Sequence, residues 1–177
     1  MKSLFSCVVL TFILVSLSWQ AYAFSEDDLE KLKATKSCPG CDLTWANLAG
    51  ADLSNADLTE TDLTGIELSN ANLTKANLTK ANLTGAKLHK ANLHGTNLTK
   101  TDLTGAVLNG ADLTGAKLES ANLTGARLYR ANLTGAIFCE TIMPDVVMNN
   151  SGCSWDVGNE SGARLLVNNV KCNLSAR

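Results

Sequence analysis

The sequence predicts an all-β solenoid, a four-sided β-helix of about five coils, and three observations carry that prediction. A large apolar residue recurs at every fifth position, from Leu43 without a gap to Leu133 and then Phe138. Two positions before each stands a small or modest residue, most often Ala (Ala46, Ala51, Ala56, Ala71), so the unit reads Ala-Asn/Asp-Leu-Thr-x. Thr-Gly then follows Leu63, Leu83, Leu103 and Leu123, which marks a longer period of twenty.

A period of five fits neither regular structure. On an α-helix it would step each Leu by about 140°, and on a strand an odd spacing sends alternate Leu to opposite faces. The chain must therefore bend between units. Within an extended segment, residues two apart point the same way, so Ala and Leu of one unit share an inner face while Asn/Asp and Thr look outward. The remaining residue is the corner. If each unit turns by a quarter, four units close a square coil of twenty residues, and successive coils stack through backbone hydrogen bonds. The coils then run 41–60, 61–80, 81–100, 101–120 and 121–140. A disordered low-complexity tract would not place Leu and Ala so regularly for burial.

This repeat resembles the pentapeptide-repeat family. The resemblance implies a right-handed quadrilateral β-helix whose shaft is filled by the central apolar residue and the small residue two before it. It covers the repeat block, 100 of the 177 residues.

The chain outside the block divides as follows. Residues 1–23 read as a secretory signal peptide: Lys2, an apolar run around Leu4 to Leu17, and the small-x-small site Ala21-Tyr22-Ala23. The run is too short for a comfortable membrane span, so the mature chain is expected to begin near Phe24, without stable membrane insertion. Residues 24–40 form an N-terminal capping segment. Between Glu26 and Lys36, acidic residues lead basic ones and Leu29 and Leu32 are three apart, which suits a short helix covering the first coil. Residues 141–177 lose the period, and their turn formers and bulky apolar residues suggest an irregular C-terminal cap.

Removal of the leader leaves Cys38, Cys41, Cys139, Cys153 and Cys172. Cys38-Pro39-Gly40-Cys41 could be a redox pair, half of a zinc site or a structural disulfide. The absence of a βαβ context and of a second Cys-x-x-Cys weakens the first two, and export favours oxidation. The expected pairs are Cys38–Cys41 and Cys139–Cys153, with Cys172 left over, although spacing alone does not determine connectivity.

Little in the chain points to chemistry. His89 and His94 follow successive Leu around a corner and lack a third ligand at a matching position, so no metal site is expected. The Asn/Asp columns lack the Gly-Gly-x-Gly-x-Asp turns of calcium-binding repeats and suit local bonding to the backbone. Asn-Leu-Thr triplets at Asn72, Asn77, Asn82, Asn97, Asn122 and Asn132 are generated by the repeat itself. No activated nucleophile, phosphate cradle or cofactor site can be assembled, and a filled shaft leaves no pocket, so no enzyme is expected.

One side departs from the consensus. Along Leu68, Leu88, Leu108 and Leu128 the outward positions carry Glu67, Lys87, His89, Lys90, Val107, Asn109, Arg127, Tyr129 and Arg130. The fold constrains only inward positions, so such concentrated departure marks a candidate interaction face, weighed against drift on a tolerant surface with Glu67 and Lys87 as a modest ion pair.

The expected function is an exported, non-catalytic structural or protein-interaction module in the periplasm, the thylakoid lumen or the extracellular space. It would act as a monomer or weak dimer, with an unknown protein partner and no nucleic acid. The alternative, implied by the family's quinolone-resistance members, is a DNA mimic that protects gyrase. Against it, the mature chain has 14 basic and 17 acidic residues, a net charge of 14 − 17 = −3. Its coils run about −4, 0, +3, −2 and +1, and five of them make a short rod rather than a long acidic track.

Overall fold

The structure, a computed structural model, describes residues 24–144 and, as backbone, 148–149, 163–167 and 170–174. The expected leader at 1–23 lies outside the described residues.

Every fifth residue from Gly40 to Glu140 has positive φ, and these are the corners. At each corner from Trp45 to Gly135 a tight turn forms in which an N–H donates to the Leu carbonyl three residues back, as Ala46 N–H does to Leu43 (3.2 Å). Positive φ at the third residue is what a type II turn requires. Glycine meets that demand without strain at ten of the corners, and Asn, Lys, Glu, Ser, Arg and Trp45 occupy the others.

Four quarter turns bring a residue beside the one twenty positions later. Parallel bridges join Asp42 to Asp62, Asn47 to Glu67, Asp52 to Asn72 and Asp57 to Asn77, and the same offset continues to Asn122 with Ile142. We call the columns built on Leu43, Leu48, Leu53 and Leu58 the first, second, third and fourth sides. Each bridge is bonded twice. Asp62 N–H donates to the Cys41 carbonyl, and the Asp62 carbonyl accepts from Leu43 N–H, both at 2.9 Å.

Leu43, Leu63, Leu83 and Leu103, with their counterparts on the other sides, are buried, and so are Ala46, Ala56, Ala71 and most small residues two before a Leu. Thr61, Thr96, Thr101 and Thr141 take that small inward position and are also buried. Each hydroxyl donates to a carbonyl 23 residues earlier: Thr61 to Cys38, Thr96 to Leu73, Thr101 to Leu78 and Thr141 to Leu118. A hydroxyl can sit in the dry shaft because the coil above supplies its acceptor.

Helix α1 spans Glu26–Thr35. Ser25 caps it by accepting from Asp28 N–H, three acidic residues sit in its first turn, and Lys36 ends it at φ 53° with its N–H on the Leu32 carbonyl. Leu32 is buried in the core cluster, and Phe24 and Leu29 pack against it.

Beyond the repeat, β1 (Thr141–Ile142) pairs antiparallel with β2 (Met148–Asn149), and β3 (Ala163–Val167) with β4 (Val170–Leu174). The sequence reading expects an irregular segment here; the backbone instead makes two antiparallel pairs. In the second pair the register runs from Ala163 opposite Leu174 to Val167 opposite Val170.

Candidate functional site

The first and third sides, and the fourth as far as Asn97 and Thr99, carry an ordered polar sleeve; beyond that the fourth side has Lys117 with Glu119 and Ile137 with Cys139. Within a unit the Asn or Asp Oδ1 accepts from the Thr backbone N–H and hydroxyl two residues on, as Asn82 does from Thr84 (3.1 and 2.7 Å). Asn then donates its Nδ2 to the Thr hydroxyl of the preceding coil: Asn77 to Thr59, Asn82 to Thr64, Asn122 to Thr104 and Asn132 to Thr114. Asp can only accept, so the run restarts at Asp102 and Asp112.

On the second side, below its first coil, this sleeve is missing. Bridges stack Asn47, Glu67, Lys87, Val107 and Arg127 in one column, and all but Asn47 depart from Asn/Asp. Glu67 is part-buried; its carboxylate accepts from Ser69 N–H (3.0 Å) and lies 3.5 Å from Lys87 Nζ. Hydrogen bonding from the Ser69 hydroxyl first, then its N–H and Lys87, holds the Glu67 carboxyl below the ordinary range, against a smaller opposing effect of burial. Asn109 Oδ1 accepts from Tyr129 N–H at 3.1 Å. Lys87, His89, Lys90, Arg127, Tyr129 and Arg130 are exposed, while Val107 and Asn109 are part-buried between them. Tyr129 is 68% exposed, and the Arg130 guanidinium lies 5.2 Å from its ring centroid, within cation–π range. The nine candidate residues thus share one continuous surface, with Glu67 and Lys87 tied to each other and cations dominating its lower part.

Sequence reasoning missed Trp45. It is 64% exposed at the corner between the first and second sides, where the next four coils have Gly65, Gly85, Gly105 and Gly125. The signal was present, since a bulky residue at a corner column otherwise filled by glycine is anomalous.

Cys38 and Cys41 are buried beside α1 with their sulfur atoms bonded and Cα atoms 5.4 Å apart. Lys31 Nζ lies 3.8 Å from Cys41 Sγ. Cys139 is also disulfide-bonded, and Cys153, its expected partner, lies outside the described residues. Among the described residues, one group of ligand-type side chains is close enough to share an ion: Asp28, Cys38 and Cys41, with donor atoms within 4.8 Å. Two of those donors are spent on each other, and the Asp28 carboxylate accepts from Asp42 N–H at 3.0 Å. His89 and His94 join no such group. No helix among the described residues is long and apolar enough to cross a membrane.

A bridged four-sided solenoid with a leucine shaft defines a class of protein. A family model described as pentapeptide repeats matches residues 37–65, 66–105 and 106–143 in 8 copies, and the chain belongs to the pentapeptide-repeat family, whose members fold as right-handed β-helices. Among solved structures it is similar to HetL, a pentapeptide repeat protein involved in heterocyst differentiation regulation from the cyanobacterium Nostoc sp. strain PCC 7120. Identity is 38% and TM-score 0.51, over 63% of this chain and 55% of HetL, so the match spans little more than half of HetL. It is also similar to Rfr23 from the cyanobacterium Cyanothece 51142 (32% identity, TM-score 0.42, 66% of this chain and 94% of that one). A pentapeptide repeat protein of the Arabidopsis thaliana thylakoid lumen is 26% identical, with TM-score 0.37, over 67% of this chain and 81% of that one. No curated protein sequence matches the chain.

Proposed function

We propose that this protein is an exported, non-catalytic interaction module whose second side, from Glu67 to Arg130, receives a protein partner. On this reading residues 1–23 are removed on export, residues 24–40 and 141–177 cap the ends, and five coils between them form the body. One observation carries the proposal. From the second coil onward the second side drops the Asx–Thr sleeve that ties up outward side chains on the first and third sides, and in its place presents cations around an exposed tyrosine. Aromatic and arginine side chains that desolvate together are the usual anchors of protein interfaces. Oxidation of Cys38–Cys41 and of Cys139 with Cys153 fits an oxidising compartment and belongs to the same reading.

The test is co-purification from the native envelope with a tagged chain, using Arg127→Ala with Tyr129→Ala as the control. Loss of one specific partner with wild-type thermal stability supports the face, whereas a partner retained by the double variant refutes it. A gyrase supercoiling assay with the purified chain addresses the DNA-mimic alternative, and protection at stoichiometric amounts would revive it.

A further inference from the structure

We propose that the N-terminal rim of the solenoid at Asn47 is a strand-addition site for an extended segment of a partner protein. This site is distinct from the face proposed above and does not depend on it.

In each rung of the stack the Asx residue of the lower coil uses both its N–H and its C=O on the coil above. The first coil has four such rungs, at Asp42, Asn47, Asp52 and Asp57. The α1 segment fills two of them. Asp42 N–H donates to Asp28 Oδ2 (3.0 Å), and the Asp42 carbonyl accepts from Ser25 N–H (3.1 Å). Asp57 N–H donates to the Lys36 carbonyl (2.9 Å), and its own carbonyl accepts from Cys38 N–H (2.8 Å). Among the described residues nothing pairs with the N–H or C=O of Asn47 or Asp52, and both residues are exposed. The helix therefore closes the first and fourth sides and leaves an open sheet edge on the other two. Unpaired edges of this kind template added strands.

The two open rungs are not equivalent. The backbone turns at Gly50 between them, so a straight strand can engage only one. Lys36 lies across the Asp52 side, with its Nζ 2.8 Å from Asp52 Oδ2 and 3.2 Å from Ser54 Oγ. The Asn47 side is clear, because the exposed residues that follow it are Ala49 and Gly50, too small to screen the edge. Trp45, at the adjoining corner, lays its indole over Gly65 of the next coil, away from the rim, and so leaves the edge uncovered.

The occupant follows from these groups. Asn47 supplies one donor and one acceptor to an extended backbone. Glu26, Asp27, Asp28, Glu30, Asp42 and Asp52 outnumber Lys31, Lys33 and Lys36 at this end, which favours a basic residue in the partner and opposes a second copy of this chain rim to rim.

The test uses a phage-displayed library of random decapeptides against the exported chain, with affinity read as the fluorescence anisotropy of each labelled peptide. Enriched peptides should be proline-free and carry a basic residue. Methylation of alternate backbone nitrogens should weaken the best peptide at least about tenfold, and Asn47→Pro about tenfold, because each removes an edge hydrogen bond. The Asn47 N–H bonds to nothing among the described residues, so that variant breaks no hydrogen bond of the fold, and Arg127→Ala with Tyr129→Ala should leave affinity unchanged. The proposal is overturned by failure to enrich any peptide that Asn47→Pro weakens or by indifference to N-methylation. A dimer of the chain that Asn47→Pro dissociates would overturn it equally, by naming a different occupant.

Discussion

The indole of Trp45 lies on the backbone of Gly65, where an added Cβ would stand 2.4 Å from Cε3 and 2.5 Å from Cζ3. Two other corners repeat the relationship, with Lys75 Cγ 3.6 Å from the equivalent point at Gly95 and Lys90 Cγ 3.4 Å from that at Gly110. Side chains at these corners lean onto the next coil, and glycine there leaves them room. Gly65→Ala and Gly85→Ala should therefore differ. Position 85 has nothing within 4 Å, so alanine there meets only the left-handed backbone cost of about 1–2 kcal/mol. Gly65→Ala should cost about 1 kcal/mol more, and Trp45→Gly should abolish the difference, a cycle that urea unfolding can measure.

Leu83 and Leu103 are fully buried on the shaft. Alanine at either should cost about 2–5 kcal/mol, and aspartate enough to prevent folding, because an unpaired charge would sit where no water or counter-ion reaches. Far-ultraviolet circular dichroism and solubility of the four variants check this. A normally folded Leu83→Asp protein would contradict a dry axis.

Thr101 fills an Ala position and donates to the Leu78 carbonyl at 2.7 Å. Thr101→Val keeps the shape and deletes the donor, so it should lose about 1 kcal/mol, while Thr114→Val, on the outer surface, should lose less. Chemical denaturation midpoints distinguish them.

Glu67 has its carboxyl held below the ordinary value of 4.5 by Ser69 and then Lys87. A depressed pKa in the folded state gives stability that is full above the unfolded value and is lost as pH falls through the folded one. Glu67→Gln should therefore flatten the stability profile below about pH 4.5 and leave the alkaline limb unchanged. Lys80 runs the other way: the Glu60 hydrogen bond raises its pKa above 10.5, so its contribution is full below that pH and lost as pH climbs past it. Both partners of that pair are exposed, and high salt should erase the alkaline effect.

Cys38 and Cys41 are three apart in sequence, so their bond closes a very short loop. The chain-entropy model then assigns it only about 2 kcal/mol, and a Cys38→Ser, Cys41→Ser chain should still fold, with a modest fall in its urea midpoint.

The repeat block was legible because its constraint is local. The spacing of Leu43, Leu48 and Leu53 sets which residues face inward, and Ser25 with Asp28 sets where α1 begins. The candidate face was legible for the same reason, since Lys87, Arg127 and Tyr129 stand out against a strict consensus. The role of Thr101 was not, because its acceptor lies 23 residues away. Nor was the pairing of β3 with β4, which sets Ala163 opposite Leu174 in a segment where the five-residue period is lost.

By itself the sequence determined the coil, its four sides and the order of residues on each, since a five-residue unit that must bury its Leu has one way to close. Tertiary structure alone decided which first-coil rungs α1 closes, that Asn47 keeps an open edge among the described residues, and that Trp45 lies on Gly65. Those outcomes depend on contacts between segments that no short-range spacing encodes, where the docking of one short helix selects two sides of four.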